Sequence, residues 1–363
     1  MPVSLQGTRV IWRSMVPALA GLTMLPALAG CAGFPASYSS GPGNVPHAAA
    51  PVTGDAARGS ATLDVLTFNV EGLQWPARSG RAPHLAQIGR VLHDLGARGQ
   101  APDVVLFQEV FSAAAIRAVK ASGYPYMVGG PGRTFSSVDR AADAHREGRV
   151  RPTKGEIGFR FVGSGLVVAS RWPITLTRRD AYSRKTCAGF DCLSNKGVVM
   201  VRVAIPGVPE PIDIIDTHMN SQKASKVRLE RHLAAHRYQS EELGLFINHY
   251  HTAGVPLVLG GDFNMRHSDA RFAEFKSRIP FTLVHEYCAV SKRCDVRMSW
   301  DGDEPWMDTQ DLQFYASGAR VQVVPRRVEA MFDGSPGSPQ LSDHDGFRVI
   351  YQLSWGGSSA ISP

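Results

Sequence analysis

The sequence predicts an α/β fold in which mixed β-sheets are layered against helices, and three observations predict it. Short apolar runs rich in β-branched and aromatic residues recur from Leu63 to Leu353. Stretches with helical apolar spacing lie between some of these runs, and other runs are joined by short turns. The chain has 363 residues, 44% hydrophobic and 20% charged, which is enough apolar surface for the core of one large domain.

The first strand is read over residues 63–70. Leu85, Ile88, Leu92 and Leu95 then recur at helical spacing. Residues 103–107 form a second apolar run, and the Ala-rich stretch 112–121 favours helix. Further strands are expected over 165–169, 197–205, 212–216, 257–259, 312–315 and 347–353, with a long polar helix over about 224–249. The charged stretch 133–158 lacks periodicity and is expected to be a mobile loop. No internal repeat interrupts this order.

The N-terminus carries an export pattern. Arg9 and Arg13 precede an apolar run from Met15 to Leu28 that is too short to span a bilayer comfortably. It ends in Leu28-Ala29-Gly30-Cys31, which resembles the bacterial lipobox. The resemblance implies cleavage before Cys31 and acylation of its thiol, hence a lipid-anchored protein of the bacterial cell envelope. The competing reading is an ordinary secretory peptide with an incidental cysteine. Ala32 after the cysteine favours the outer membrane by the same resemblance. Residues 1–30 are thus read as a signal, 31–61 as a flexible Gly/Pro/Ser/Ala tether, 62–355 as the folded domain and 356–363 as a tail. Loss of the two N-terminal arginines would lower the formal charge from +7 to +5. A mildly basic surface suits polyanions and anionic membranes alike.

Four other cysteines fall as two close pairs, Cys187 with Cys192 and Cys288 with Cys294. In an exported protein they are expected to form disulfides, within each local pair, although four cysteines allow three connectivities. Neither pair has partners at zinc spacing.

The chemistry lies where apolar strands end in polar residues, because a strand end places such a group at the rim of a sheet. Five places stand out: Asn69; Glu109; Asp216, His218 and Asn220; Asp262 and Asn264; and Asp343, His344 and Asp345. Carboxylate and amide oxygens are the donors that a hard cation such as Mg²⁺ requires, and the histidines add proton transfer. Singly, each of these residues is more often a turn former. His232 and His236 lie at i and i+4 on the long helix, but the HExxH pattern is missing there and arginines flank them. Lys223, Lys226, Arg228 and Arg231 read as a solvated face.

Taken in order, Leu106-Phe107-Gln108-Glu109-Val110, Asp216-Thr217-His218, Gly261-Asp262-Phe263-Asn264 and Ser342-Asp343-His344 resemble the endonuclease/exonuclease/phosphatase superfamily, or DNase I-like fold, over roughly residues 62–353. The resemblance implies a four-layer αββα sandwich of two mixed β-sheets with the site at one rim. It assigns Glu109, Asn69 and Asp343 to a Mg²⁺ site that other divalent cations could also fill. It assigns His218, Asp262, Asn264 and His344 to catalysis, with Asp311 supporting a histidine and Asp308 as its competitor.

Gln108-Glu109-Val110-Phe111, residues 164–174 and Ser194-Asn195-Lys196-Gly197-Val198 resemble the neutral sphingomyelinase branch. Phe111, Lys196 and Asn220 are the corresponding substrate-side residues, although Asn220 resembles other branches equally. The expected activity is metal-dependent hydrolysis of sphingomyelin or another choline phospholipid of a membrane, by in-line water attack, in a monomeric protein. A secreted or periplasmic nuclease acting on nucleic acid is the alternative. A catalytically silent surface binding module is the second.

Overall fold

The apolar runs pair into two sheets whose polar strand ends meet at one rim. The computed structural model describes residues 33–39, 53–54, 57–74, 76–136, 141, 143–298 and 311–356. In chain order the strands are β1 (Tyr38–Ser39), β2 (Thr53–Gly54), β3 (Gly59–Asn69), β4 (Val104–Gln108), β5 (Tyr126–Gly129), β6 (Val167–Ser170), β7 (Ile174–Ala181) and β8 (Gly197–Val203). They continue as β9 (Ile212–His218), β10 (Leu257–Asp262), β11 (Thr282–Leu283), β12 (Asp295–Arg297), β13 (Asp311–Ala316), β14 (Val321–Met331) and β15 (Gly346–Trp355). The helices are α1 (Arg81–Ala97), α2 (Ala113–Ala121), α3 (Leu229–Tyr250) and α4 (Asp269–Arg278).

The first sheet has the order β1-β5-β6-β4-β3-β15-β14-β12, with β2 on β3, and the second β11-β13-β10-β9-β8-β7. Both are mixed: β3 with β4 and β9 with β10 are parallel, and most other pairs are antiparallel. Three apolar clusters define the layers. Leu63, Val65 and Leu106 of the first sheet meet Val199, Ile214 and Val258 of the second. On the outer face of the first sheet Phe68 and Phe107 pack under Leu85, Ile88 and Leu92 of α1 and Ala118 of α2. On the outer face of the second, Ile215 and Leu259 pack under Leu243 and Phe246 of α3 and Phe275 of α4. The protein is therefore a four-layer αββα sandwich, as expected.

The Ala-rich helix starts at Ser112, whose hydroxyl accepts from the Ala115 amide and caps it. Both disulfides join the local pairs, Cys187–Cys192 and Cys288–Cys294. Three readings need correction. The stretch read as a tether is partly ordered, since β1 pairs with β5 and the Gly129 amide donates to the Pro35 carbonyl. Phe34 and Tyr38 supply the apolar surface that holds it. The first long strand also begins at Gly59, three residues before the expected start of the domain. β5, β7, β14 and α4 were not expected at all. The signal, Cys31 and Asp308 lie outside the described residues. Among those described, no helix is long and apolar enough to cross a membrane.

Candidate active site

Register alone aligns the second sheet's polar ends. Parallel pairing sets Asp262 opposite His218, and antiparallel pairing sets Asp311 opposite Asp262, so the three form a row across β9, β10 and β13. Gly261 permits this spacing, because a Cβ there would lie 2.1 Å from the Thr217 carbonyl oxygen. In the first sheet β3 and β4 end together, with Asn69 opposite Gln108 and Glu109 one residue on. Glu109 (φ 61°) and Asn264 (φ 53°) both take the left-handed conformation, which is uncommon away from glycine.

Asp262 is the centre of the site. Its Oδ1 accepts from the Asn264 amide N–H at 3.0 Å and from Asn264 Nδ2 at 2.9 Å. Its Oδ2 accepts from Asn69 Nδ2 at 2.9 Å, a bond that ties the two sheets together. His218 Nε2 stands 3.2 Å and His344 Nε2 4.0 Å from the same oxygen. Burial alone pushes the Asp262 carboxyl up, but the charges of His218, His344 and Lys196 and the His218 hydrogen bond hold it below the usual carboxylate range.

His344 Nδ1 lies 3.0 Å from Asp311 Oδ2, which orients the ring with Nε2 toward Asp262. Burial disfavours a charged His344, yet Asp311, Asp262 and Asp343 outweigh it and hold the imidazole well above its ordinary value. Burial also raises Asp311. Ser342 pins this loop by donating to the Asn69 carbonyl at 2.7 Å.

Behind His218, the Lys196 ammonium is buried between Asp191 at 2.5 Å, the Met219 carbonyl at 2.9 Å and His218 Nε2 at 2.9 Å. His218 Nε2 thus stands between the Lys196 ammonium and Asp262 Oδ2. Asp191 Oδ2 also accepts from the Ser221 amide at 2.8 Å and from its hydroxyl.

The metal side is built differently. The Glu71 amide donates to Asn69 Oδ1 at 3.0 Å, and the Glu71 carboxylate meets Arg78 at 2.8 Å and Arg81 at 3.3 Å. Arg78 also approaches Asp343 at 3.6 Å, and Glu71, Asp343 and Glu109 together raise its pKa, led by the Glu71 hydrogen bond. The Glu109 carboxylate accepts no hydrogen bond among the described residues. A half-buried, undonated carboxylate beside amide and carboxylate oxygens has the donor chemistry of a hard divalent cation site. Asp262, Asp311 and His344 also present atoms within 4.8 Å of one another, which is metal spacing, but these atoms are already matched to each other and to Asn69, Asn264 and His218.

The structure thus gathers Asn69, His218, Asp262, Asn264, Asp311, His344 and Lys196, with Glu109 and Asp343 beside them. It places two expected residues otherwise. Asn220 is fully buried; its side chain accepts from the Ala188 amide at 2.8 Å and donates to the Ser221 carbonyl, so it braces a loop rather than facing substrate. Phe111 is buried with its ring over Gly165. Asp216 is fully buried behind the rim and accepts from Gln108 Nε2 at 2.6 Å; burial raises its pKa well above the usual range. Glu71, Arg78 and Asp191 escaped the sequence reading. Glu71 stands two residues after a strand-end asparagine, the one signal that could have found it.

A family model described as the Endonuclease/Exonuclease/phosphatase family matches residues 66–344. Sphingomyelinase C of Leptospira interrogans is 29% identical over 170 residues, 46% of this chain and 28% of that protein. The match therefore spans less than a third of that relative's length. Among solved structures, a mutant beta toxin from Staphylococcus aureus with bound magnesium ions has a TM-score of 0.54 at 17% identity, covering 81% of this chain and 99% of its own. Sphingomyelinase C from Streptomyces griseocarneus gives 0.52 at 19% identity, over 80% and 99%. D. rerio TDP2 complexed with single-strand DNA product gives 0.51 at 16% identity, over 80% and 98%. At these identities the structural matches establish the fold.

Proposed function

The chain belongs to the endonuclease/exonuclease/phosphatase family, and from that premise we propose that it is a Mg²⁺-dependent phosphodiesterase that hydrolyses sphingomyelin or a related choline phospholipid. The observation that carries the catalytic part is the depressed, fully buried Asp262 carboxylate held between His218, His344, Asn69 and Asn264. An ionised carboxylate so placed orients a water and takes its proton as the water attacks phosphorus in line with the leaving oxygen. His344, charged through Asp311, donates to a phosphoryl oxygen or to the departing alkoxide. Lys196 holds positive charge behind His218 and keeps it turned toward Asp262. Glu109, Asn69 and Asp343 would hold the divalent cation, whose contribution is positive charge against the non-bridging phosphoryl oxygens.

The choice of a lipid is supported by the Leptospira interrogans sphingomyelinase C and by the Asn195-Lys196-Gly197 motif. The fold is equally that of a protein bound to single-strand DNA, so a nuclease is the second reading. The N-terminal lipobox supports export and anchoring through Cys31. In that reading Cys31→Ser abolishes incorporation of labelled fatty acid into the protein. Given sphingomyelin vesicles and plasmid DNA together with Mg²⁺, the protein should release phosphorylcholine much faster than it nicks DNA. Degraded DNA with intact lipid would replace the lipid reading by the nuclease one.

A further inference from the structure

Seven large hydrophobic side chains are exposed among the described residues, and six of them, Val150, Ile157, Phe159, Phe161, Phe190 and Leu229, gather in one region; only Leu245 lies elsewhere. Scattered exposed apolar residues need no explanation, but a cluster does. Phe159 is 71% and Leu229 58% exposed. Three segments bring them together. The loop over 149–161 packs on the turn Gly189–Leu193, since the Phe190 ring and Leu193 fill the space where a Gly155 side chain would go, and the Phe161 amide donates to the Leu193 carbonyl at 2.7 Å. The Gly189 amide donates to buried Glu156, and Arg231 in the first turn of α3 pairs with the same carboxylate and donates to the Arg149 carbonyl. Cys187–Cys192 brackets Phe190.

The same region is basic. A cavity of about 530 Å³ at the start of α3 is lined by Arg149, Arg151, Lys154, Lys226 and Arg228, whose side chains have no acidic partner among the described residues. Of the acids on its wall, Glu147 is engaged by His145 and Arg237, and Glu230 is the other. This surface lies on the same rim as the active site, because it is formed by the segments that precede β6 and β8 and follow β9. Asp191, within the Gly189–Leu193 turn, is the residue that holds Lys196 against His218.

We infer that this face docks the protein onto an anionic lipid bilayer, with Phe159, Phe161 and Phe190 entering the interface and the arginines and lysines meeting acidic headgroups. Aromatic and aliphatic tips surrounded by unpaired cations complement such a surface in both polarity and charge. Single-stranded nucleic acid would match the cations and the phenylalanines. It gives no use for exposed Val150, Ile157 and Leu229. The choice of partner rests on the lipid reading above. The new content is which residues make the contact and that acidic lipids promote it.

The test uses the full chain carrying Cys31→Ser and two variants in that background, Phe159→Ser/Phe190→Ser and Arg149→Glu/Lys154→Glu/Arg228→Glu. None of these residues touches the catalytic set. Partitioning onto vesicles containing phosphatidylglycerol should exceed that onto phosphatidylcholine alone and fall by at least about tenfold in the charge-reversed variant. It should also fall in the phenylalanine variant, while hydrolysis of bis-p-nitrophenyl phosphate stays unchanged in both. Equal partitioning of all three proteins would overturn the docking face even if sphingomyelin is cleaved. Loss of oligothymidylate binding with unchanged vesicle binding would reassign the face to nucleic acid. Absent hydrolysis of every phosphodiester by the parent would defeat the catalytic reading and leave the docking result standing.

Discussion

On the second sheet's side of the site the side chains of Asp262, His218 and Asp311 are at most 2% exposed, that of His344, which reaches them from the β14–β15 loop, is 13% exposed, and every one is engaged by a neighbour. On the first sheet's side Arg78 and Asp343 are about half exposed, and Glu109 has no donor among the described residues. The first group is fixed before any ligand arrives, as proton transfer requires, since buried side chains already held by their neighbours cost little reorganisation during reaction. The second is an excess of carboxylates, Glu71, Glu109 and Asp343, met by Arg78 and, at Glu71, by Arg81 as well. Substitutions in the first group should therefore damage turnover, and those in the second should change how much cation is needed.

The largest effect is expected at Asp262. Asp262→Asn keeps the shape but turns an acceptor of three hydrogen bonds into a partial donor facing other donors, and turnover at saturating Mg²⁺ should fall by roughly a hundred- to ten-thousandfold. Initial rates across a Mg²⁺ titration measure it. A variant within about threefold of the parent would remove Asp262 from proton transfer.

Asp311→Asn probes the same network through pH. Asp311 stabilises the His344 imidazolium, and without it burial, which favours the neutral ring, becomes the leading influence. If the charged form is the active one, activity is present below the His344 pKa and lost above it. The alkaline limb of kcat/KM should then move to lower pH. An unmoved limb would assign the alkaline loss to another group.

The two sides also differ in how far the sequence reveals them. Asn69, Glu109, His218 and Asp262 were legible because each closely follows a continuous apolar run. Asp311 was legible only through family resemblance, for it stands at the start of an expected strand rather than at the end of one. β14 stayed hidden because Pro325 interrupts it at a bulge and two arginines, a glutamine and a glutamate break its apolar run. α4 was hidden by its polarity, as Phe272 and Phe275 are its only large apolar residues. Asn220 sits in the right motif, yet its partners Ala188 and Gln239 are more than fifteen residues away, so its bracing role is a tertiary fact. The same holds for Asp191 with Lys196 and for Arg78 between Glu71 and Asp343.

Glu109→Gln should leave the first group untouched, because no hydrogen bond joins Glu109 to Asp262, His218, Asp311 or His344. Replacing a carboxylate oxygen by an amide weakens binding of a hard cation, so half-maximal activity should need about tenfold more Mg²⁺ or beyond, with most of the turnover recovered at saturation. A turnover loss that no Mg²⁺ concentration repairs would place Glu109 with Asp262 and dissolve the distinction between the two sides.

The smallest effect, and the one most particular to this chain, is at Arg78. Its guanidinium meets Glu71 at 2.8 Å and Asp343 at 3.6 Å and takes up part of the charge that an arriving cation would neutralise. Arg78 is half exposed, so solvent screens these pairs and each contributes little, on the order of a surface ion pair. In Arg78→Ala the cation that Glu71 and Asp343 share is lost, with Arg81 left on Glu71 alone, and a divalent cation relieves more repulsion on binding than before. The Mg²⁺ requirement should drop by about two- to fivefold, the equivalent of a fraction of a kcal/mol to about 1 kcal/mol, with turnover at saturation unchanged. The comparison between Arg78→Ala and Glu109→Gln is then opposite in sign on one axis and silent on the other. If Arg78→Ala instead raises the requirement, the arginine is positioning Glu71 and Asp343 for the cation rather than competing with it. A titration of activity against Mg²⁺ at low and at 0.5 M ionic strength separates these cases, since competition is screened by salt and positioning is not.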